Sequence, residues 1–244
     1  MAIKYAVDCS SWTGHLSILQ AQAIKDMGFT KAIVNLYGGS TAQSQIDAFQ
    51  AVGMEVDGYI YFYFSQTVEY RIGSQLANLA GRSINFLWLD WEDEPTGMNQ
   101  RAVVDYIQGA VDYCIGKVYT GHYTRRQWWV DYTGDSHHFE GMWLWDATND
   151  GTADMSYHPY GGFKHYMEQY RFDVVLVAGA GNFDLNVYED PEPLPVLPEP
   201  PVEPEPVPTP PTVDHLSEAL RLMSGGDKLY AQAHIHLEAL QQGK

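Results

Sequence analysis

The chain has 244 residues and a formal net charge of −17, and aromatic side chains make up 14% of it, with 17 Tyr and 7 Trp. This length fits one large domain with an appendage. Only 14 Lys and Arg stand against 31 acidic residues, which excludes a partner gripped through its phosphates, nucleic acid above all, because that affinity comes from clustered cations.

The opening stretch MAIKYAVDCSSW has no basic region followed by an apolar one, and no apolar run is long enough to span a bilayer. The expectation is synthesis in the cytoplasm without a signal peptide and no stable membrane insertion. Ile3 to Cys9 reads as a first strand, followed by a helix with Leu16, Leu19, Ala23 and Met27 at helical spacing, stopped by Gly28. Ala32 to Leu36 reads as a second strand, with Ile46, Phe49 and Val52 on the helix after it. Val56 to Phe64, a helix to about Leu79, Ile84 to Trp91, a helix from Asn99 to Ile115, and a strand at Lys117 to Thr120 continue the alternation. Strands and helices in strict turn predict a parallel α/β barrel. Cys9 and Cys114 form neither a disulfide framework nor a metal knuckle and read as buried apolar residues in a reducing compartment.

After Thr124 the rhythm changes. Met142 to Trp145, Val174 to Ala178 and Phe183 to Tyr188 read as strands with no long amphipathic helix between them, so the barrel is expected to close irregularly. Residues 191–212 hold 11 of the 13 prolines, and Glu189 to Glu205 contains six acidic groups and no basic one. Proline removes donors and the charges repel, so this segment predicts an extended, semi-rigid linker. Residues 213–244 predict a helical hairpin broken at Gly225 and Gly226, with Asp214 and Asp227 as N-caps. So short a module buries little alone, which points to homo-oligomerisation or to wall binding. The predicted organisation is thus a catalytic barrel over 1–190, a linker and a small helical module.

FLWLDWEDEP, residues 86–95, ends a buried run in four carboxylates. Alternate residues of a strand share a face, so Asp90 and Glu92 project to one side about 6 to 7 Å apart and Trp91 to the other. At the C-terminal end of a barrel strand such a pair lies where barrel active sites form. Burying it without a function is costly, whereas Asp93 and Glu94, before Pro95, read as turn residues. Asp8 in YAVDCSSW and Asp184 in GNFDLNVY end two further strands in the same way. Carboxyls converging on one mouth repel, so that some keep a proton near neutral pH while others stay charged. Glycoside hydrolysis requires this division between an acid and a charge-stabilising carboxylate.

Tyr59, Tyr61 and Tyr63 share one face of the third strand and fit either sugar stacking or a packed barrel layer. Trp128 and Trp129 read as packing. His137 and His138 lack a third metal ligand at sensible spacing, Ser10 and Ser11 lack a nucleophile elbow, and no Gly-rich phosphate loop is present. No cofactor is expected.

At these residues the sequence resembles the lysozymes of glycoside hydrolase family 25, across about residues 3–188. AVDCSSWTG is similar to the family's first-strand motif, FLWLDWE to its fourth-strand Asp-x-Glu signature, and AVGMEVDGYIYFYF to its aromatic third strand. VYTGHYT resembles the fifth strand, WLWDATND the sixth-strand tryptophan motif, and NFDLNVY the closing Asp-x-Asn motif.

The resemblance implies a (β/α)5β3 barrel and cleavage of the β-1,4 bond between N-acetylmuramic acid and N-acetylglucosamine in peptidoglycan. Glu92 would be the acid. Asp90 would orient the substrate acetamide or act as nucleophile, and Asp8 and Asp184 would tune pKa values and hold substrate. Trp145 and Tyr119 would be saccharide contacts. A phage endolysin, reaching the cell wall through a separate pore, fits that reading. The competing readings are an inert wall-binding or virion structural relative and a hydrolase of other N-acetyl sugars. Two departures, Gly38 where relatives carry a glutamate and Asp146 where they carry a glutamine, bear on substrate range or rate.

Overall fold

The computed structural model describes residues 3–155 and 159–189; the linker and helical hairpin expected from the sequence lie outside them. Eight strands close a barrel in chain order. They are β1 (Ile3–Cys9), β2 (Phe29–Asn35), β3 (Glu55–Tyr61), β4 (Leu87–Asp90), β5 (Thr120–Thr124), β6 (Trp143–Ala147), β7 (Lys164–Val174) and β8 (Phe183–Glu189). Five helices cover it: α1 (Ile18–Asp26), α2 (Ser40–Ala51), α3 (Val68–Ala77), α4 (Gln100–Cys114) and α5 (Arg126–Thr133). Pairing is parallel from β1 through β7, whereas β8 runs antiparallel to both β7 and β1. The expected architecture of five β/α units followed by three strands is the one observed.

Helix α4 follows from its sequence. The Asn99 side chain accepts from the Ala102 N–H at 2.9 Å, satisfying a donor that the first turn leaves free. Val103, Val104, Ile107, Ala110 and Cys114 recur at helical spacing and are its buried face. In α1 the Ser17 and Gln20 side chains form a capping box; of the stripe read from the sequence Leu16 is buried and Ala23 packs against the core, but the buried residues within the helix are Ala21 and Ile24. Leu19 is 82% exposed and Met27 also lies outside the core.

Three elements differ from the sequence reading in place or existence. Strand β5 starts at Thr120, not Lys117, because the chain turns after α4 at Gly116. Helix α5 is only eight residues long; its buried Trp128, Trp129 and Thr133 give no clean amphipathic period. Strand β7 occupies Lys164–Val174, ahead of the expected Val174 to Ala178. It buries Glu168 and Gln169 on opposite faces, so no apolar alternation marks it.

The barrel is filled. Ala6, Ile33, Phe86, Trp88, Tyr123, Trp145, Tyr166, Met167 and Tyr188 form one cluster, distinct from the larger core. Strand alternation assigns the first to the barrel interior and the second to the layer between barrel and helices. Trp143 stacks on both Phe86 and Tyr166, and Trp88 on Tyr166. Tyr166 enters this layer through an irregularity, since Leu144 pairs with His165 but Trp145 with Met167. Gly121 has no alternative: a Cβ there would lie 2.7 Å from the Trp143 carbonyl and 2.8 Å from the Trp88 ring.

Beside these rings Lys31 is buried, donating to Asp57 at 3.1 Å and to the Tyr166 hydroxyl at 2.9 Å. Burial opposes the charge of Lys31, but Asp57, Tyr166 and Glu55 outweigh it and hold the ammonium above its ordinary pKa. Burial pushes Asp57 up despite Lys31, and its Oδ1 has no hydrogen-bond partner. Lys31→Met is expected to destabilise the fold by about 3 to 5 kcal/mol, because it strands a buried carboxylate. Adding Asp57→Leu should recover much of that loss, as read from urea unfolding curves of the single and double variants.

Candidate active site

The C-terminal ends of the parallel strands carry the carboxylates. Asp90 is the last residue of β4, paired with Tyr61 of β3 and Tyr123 of β5. Trp91 turns outward, stacking on Phe62 at 4.3 Å and donating from Nε1 to His122 at 2.9 Å. The chain then brings Glu92 back to the inner side, where its carboxyl and that of Asp90 are within hydrogen-bonding reach. The backbone carbonyl of Asp93 accepts from Trp128 Nε1 at 2.9 Å, which anchors the loop, and Glu94 is exposed, in keeping with the turn roles read for both.

Across the mouth, antiparallel pairing of β1 with β8 sets Asp8 directly opposite Asp184. Gln169 Nε2 donates to Asp8 at 2.8 Å and to Asp184 at 3.4 Å, while its Oε1 accepts from the Tyr123 hydroxyl at 2.6 Å. Asn186 Nδ2 gives Asp8 a second bond at 2.9 Å and its Oδ1 accepts from Trp145 Nε1 at 2.8 Å. Asp184 also accepts the Asp173 N–H at 2.8 Å. Four carboxyls from three strands and one following loop therefore meet at one end of the barrel.

Burial is the first cause holding each of the four above the ordinary carboxylate range. For Asp8 the neighbouring Asp184 adds to it, bringing the pKa to about 8. Asp90 is 2% exposed, and burial, Glu92 and Asp8 raise it against the pull of Arg71. Glu92 is less deeply placed and is attracted by Arg125. The proton of the Asp90 and Glu92 pair therefore rests on Asp90, the more deeply buried member. Oδ1 of Asp90 is buried without a partner.

The other expected contacts divide. Tyr59 lies between these groups, hydrogen-bonded to Asn35 and sensing Asp8 and Asp90. Tyr61 lies near Asp90, Asp93 and Glu92, and exposed Tyr63 is 5.0 Å from it, ring to ring. Trp145 is 1% exposed, packed between Tyr59 and Tyr123, and thus backs the pocket instead of offering an open face. Tyr119 is not brought to the carboxylates. Its carbonyl accepts from Leu87 at the start of β4, so it belongs to the opposite end of the barrel, and Tyr123 is the β5 residue at the mouth. Asp146 faces away from the pocket, accepting from the Tyr160 hydroxyl at 2.8 Å. A Cβ at Gly38 would meet only ordinary contacts with Thr41, Ser11 and Ala42, so a side chain fits there. Among the described residues no group of three or more metal-ligating side chains is assembled.

Reading the sequence missed Tyr123, Gln169, Asn35 and Arg71. Asn186 stood in the closing Asp-x-Asn motif, two residues after Asp184 on the same strand face, but no role was read for it. Gln169 sat in the strand that was misplaced.

Asp8 yields a pH test. Its folded pKa of about 8 lies above the ordinary 3.8, so the folded chain holds a proton that the unfolded chain releases in between. The stability tied to this group is intact below about pH 4 and is lost as pH rises toward about 8. Asp8→Asn is expected to stabilise the fold at pH 8 by on the order of a few kcal/mol and to have little effect near pH 4, measured by denaturant unfolding at both values.

No family model matches the sequence, and no curated protein does. Solved structures do match. The catalytic domain of endolysin ply40 from bacteriophage P40 of Listeria monocytogenes is 16% identical with a TM-score of 0.57, covering 77% of this chain and 94% of its own. GHIP, a glycosyl hydrolase 25 of Streptococcus pneumoniae participating in host cell invasion, is 18% identical with a TM-score of 0.56, over 76% of this chain and 87% of its own. The modular Cpl-1 endolysin, solved with a peptidoglycan analogue, is 21% identical with a TM-score of 0.51, over 78% of this chain and 56% of its own. At 16 to 21% identity the likeness establishes the fold: this chain is built as those barrels are.

Proposed function

We propose that the chain is a peptidoglycan hydrolase of the glycoside hydrolase family 25 type, cleaving the β-1,4 bond between N-acetylmuramic acid and N-acetylglucosamine, and that it serves as a phage endolysin. The observation that carries this reading is the convergence of Asp8, Asp90, Glu92 and Asp184 on one mouth, with a buried oxygen of Asp90 left unpaired. The endolysin and glycosyl hydrolase names of the matching structures, and the peptidoglycan analogue bound by one of them, support the same class.

The chemistry follows from the electrostatics. A sugar acetamide whose N–H donates to Asp90 favours its carboxylate form, since hydrogen bonds to the charged form lower a pKa. The proton then shifts along the Asp90 and Glu92 contact to Glu92, which delivers it to the glycosidic oxygen. Asp90, now anionic, orients the acetamide for attack on the anomeric carbon and offsets the positive charge that develops there. Asp8 and Asp184, fixed by Gln169 and Asn186, line the mouth without approaching the bond, and the proton that Asp8 holds near neutral pH spares the group one of its four charges. Tyr59 and Tyr61, both held above the ordinary tyrosine pKa by burial, stay neutral and donate to sugar oxygens.

Purified peptidoglycan incubated with the wild type should yield new muramic acid reducing ends. Glu92→Gln should slow their appearance at least about a hundredfold, the scale of general-acid contributions. Equal rates in the two proteins contradict the assignment of the acid, and glucosamine reducing ends contradict the bond.

A further inference from the structure

We infer that Arg71 is a specificity residue of the mouth, its guanidinium receiving the carboxyl or amide oxygen of the lactyl arm that distinguishes muramic acid from glucosamine. The inference rests on the muramidase reading above and deepens it. Arg71, on α3, is 4% exposed, and a cation so placed ordinarily has a carboxylate against it. It has none within ion-pair distance among the described residues. Its Nε donates to the Tyr61 carbonyl at 2.6 Å; Nη1 and Nη2 have no acceptor there, yet neither is sealed from solvent. The group lies over the Tyr63 ring at 4.6 Å and the Tyr37 ring at 5.4 Å. Both rings are exposed, so they steady the guanidinium without covering it. What it still offers is a planar fork of N–H donors, the geometry that fits a carboxylate or acyl oxygen.

Its place in the mouth matches the order of groups on the sugar. The Arg71 charge acts on Asp90, whereas Glu92 senses Arg125 and Asp184. Arg71 is bonded to the Tyr61 carbonyl and Tyr61 pairs with Asp90 across β3 and β4, so the guanidinium stands on the Asp90 side of the carboxyls. A pyranose presents its substituents in ring order: with C1 at Glu92 and the C2 acetamide at Asp90, the C3 substituent reaches past Asp90 toward Arg71. In muramic acid that substituent is the lactyl ether with its carboxyl; in glucosamine it is a hydroxyl.

The test compares two ligands by calorimetry in the Glu92→Gln protein: a tetrasaccharide alternating N-acetylglucosamine with N-acetylmuramic acid, and the N-acetylglucosamine tetramer. Arg71→Met should weaken binding of the lactyl-bearing sugar roughly tenfold to a hundredfold, the range for hydrogen bonds to a charged group, and that of the plain tetramer by less than about twofold. Arg71→Lys, which keeps the charge but not the fork, should lose at least about threefold on the lactyl-bearing sugar alone, and it decides the matter should the methionine variant not fold. Equal losses on both sugars, or none on either, overturn the inference. A wild-type digest without muramic acid reducing ends sinks the muramidase reading itself; one that contains them, with indiscriminate binding by the Arg71-intact protein, sinks only the role of Arg71.

Discussion

The antiparallel pairing of β8 with β1 is the constraint on which the rest depends, because it sets Asp184 opposite Asp8 inside a closed ring of strands. In an all-parallel barrel each strand would reach the mouth with a separate loop. Here the last strand runs the other way, so its first residues, not its last, arrive beside the C-terminal ends of the others. Gln169 and Asn186, neighbours in the β7 and β8 register, then fall within reach of both acids. The amide groups hold in place carboxyls that would otherwise repel one another out of the pocket.

The interior changes character along the barrel axis. At one end Lys31, Asp57 and the stacked rings of Phe86, Trp143 and Tyr166 form a dense floor. At the other, polar side chains face a mouth. Trp145 joins the two regions, its ring against Tyr59 and Tyr123 and its Nε1 on Asn186. Burial above that floor disfavours the charged form of every acid, which is why four carboxyls so near one another are all displaced in the same direction. A buried carboxylate oxygen without a partner, as Asp90 Oδ1 is, is a cost to the fold.

How much of this was legible in the sequence depended on what each strand had to bury. Strands β1 and β4 carry apolar residues toward the helices and reach the mouth with Asp8 and Asp90, so both the strands and their carboxylates stood out. The pair Asp90 and Glu92 was read to the correct face because Trp91 between them is plainly apolar. Strand β7 was misplaced, since Glu168 and Gln169 are buried for the sake of their neighbours and not for their apolarity. Tyr119 and Tyr123 look alike in the sequence. Only the register with Leu87 and Asp90 separates the floor from the mouth, and register is a long-range property. Arg71 was invisible for a similar reason: a basic residue on a helix reads as a solvated one until the fold sets it on the Tyr61 carbonyl and over the Tyr37 and Tyr63 rings.

The amide of Gln169 has a direction. Its oxygen is claimed by Tyr123 and its nitrogen by Asp8 and Asp184, so a hydroxyl on the fifth strand decides which end of a side chain on the seventh faces the acids. Without that hydroxyl only the two acids would hold the amide in this sense, and turning would set its carbonyl oxygen against them. The polarity of the pocket is in this sense transmitted sideways around the ring, from a residue that need never touch a sugar.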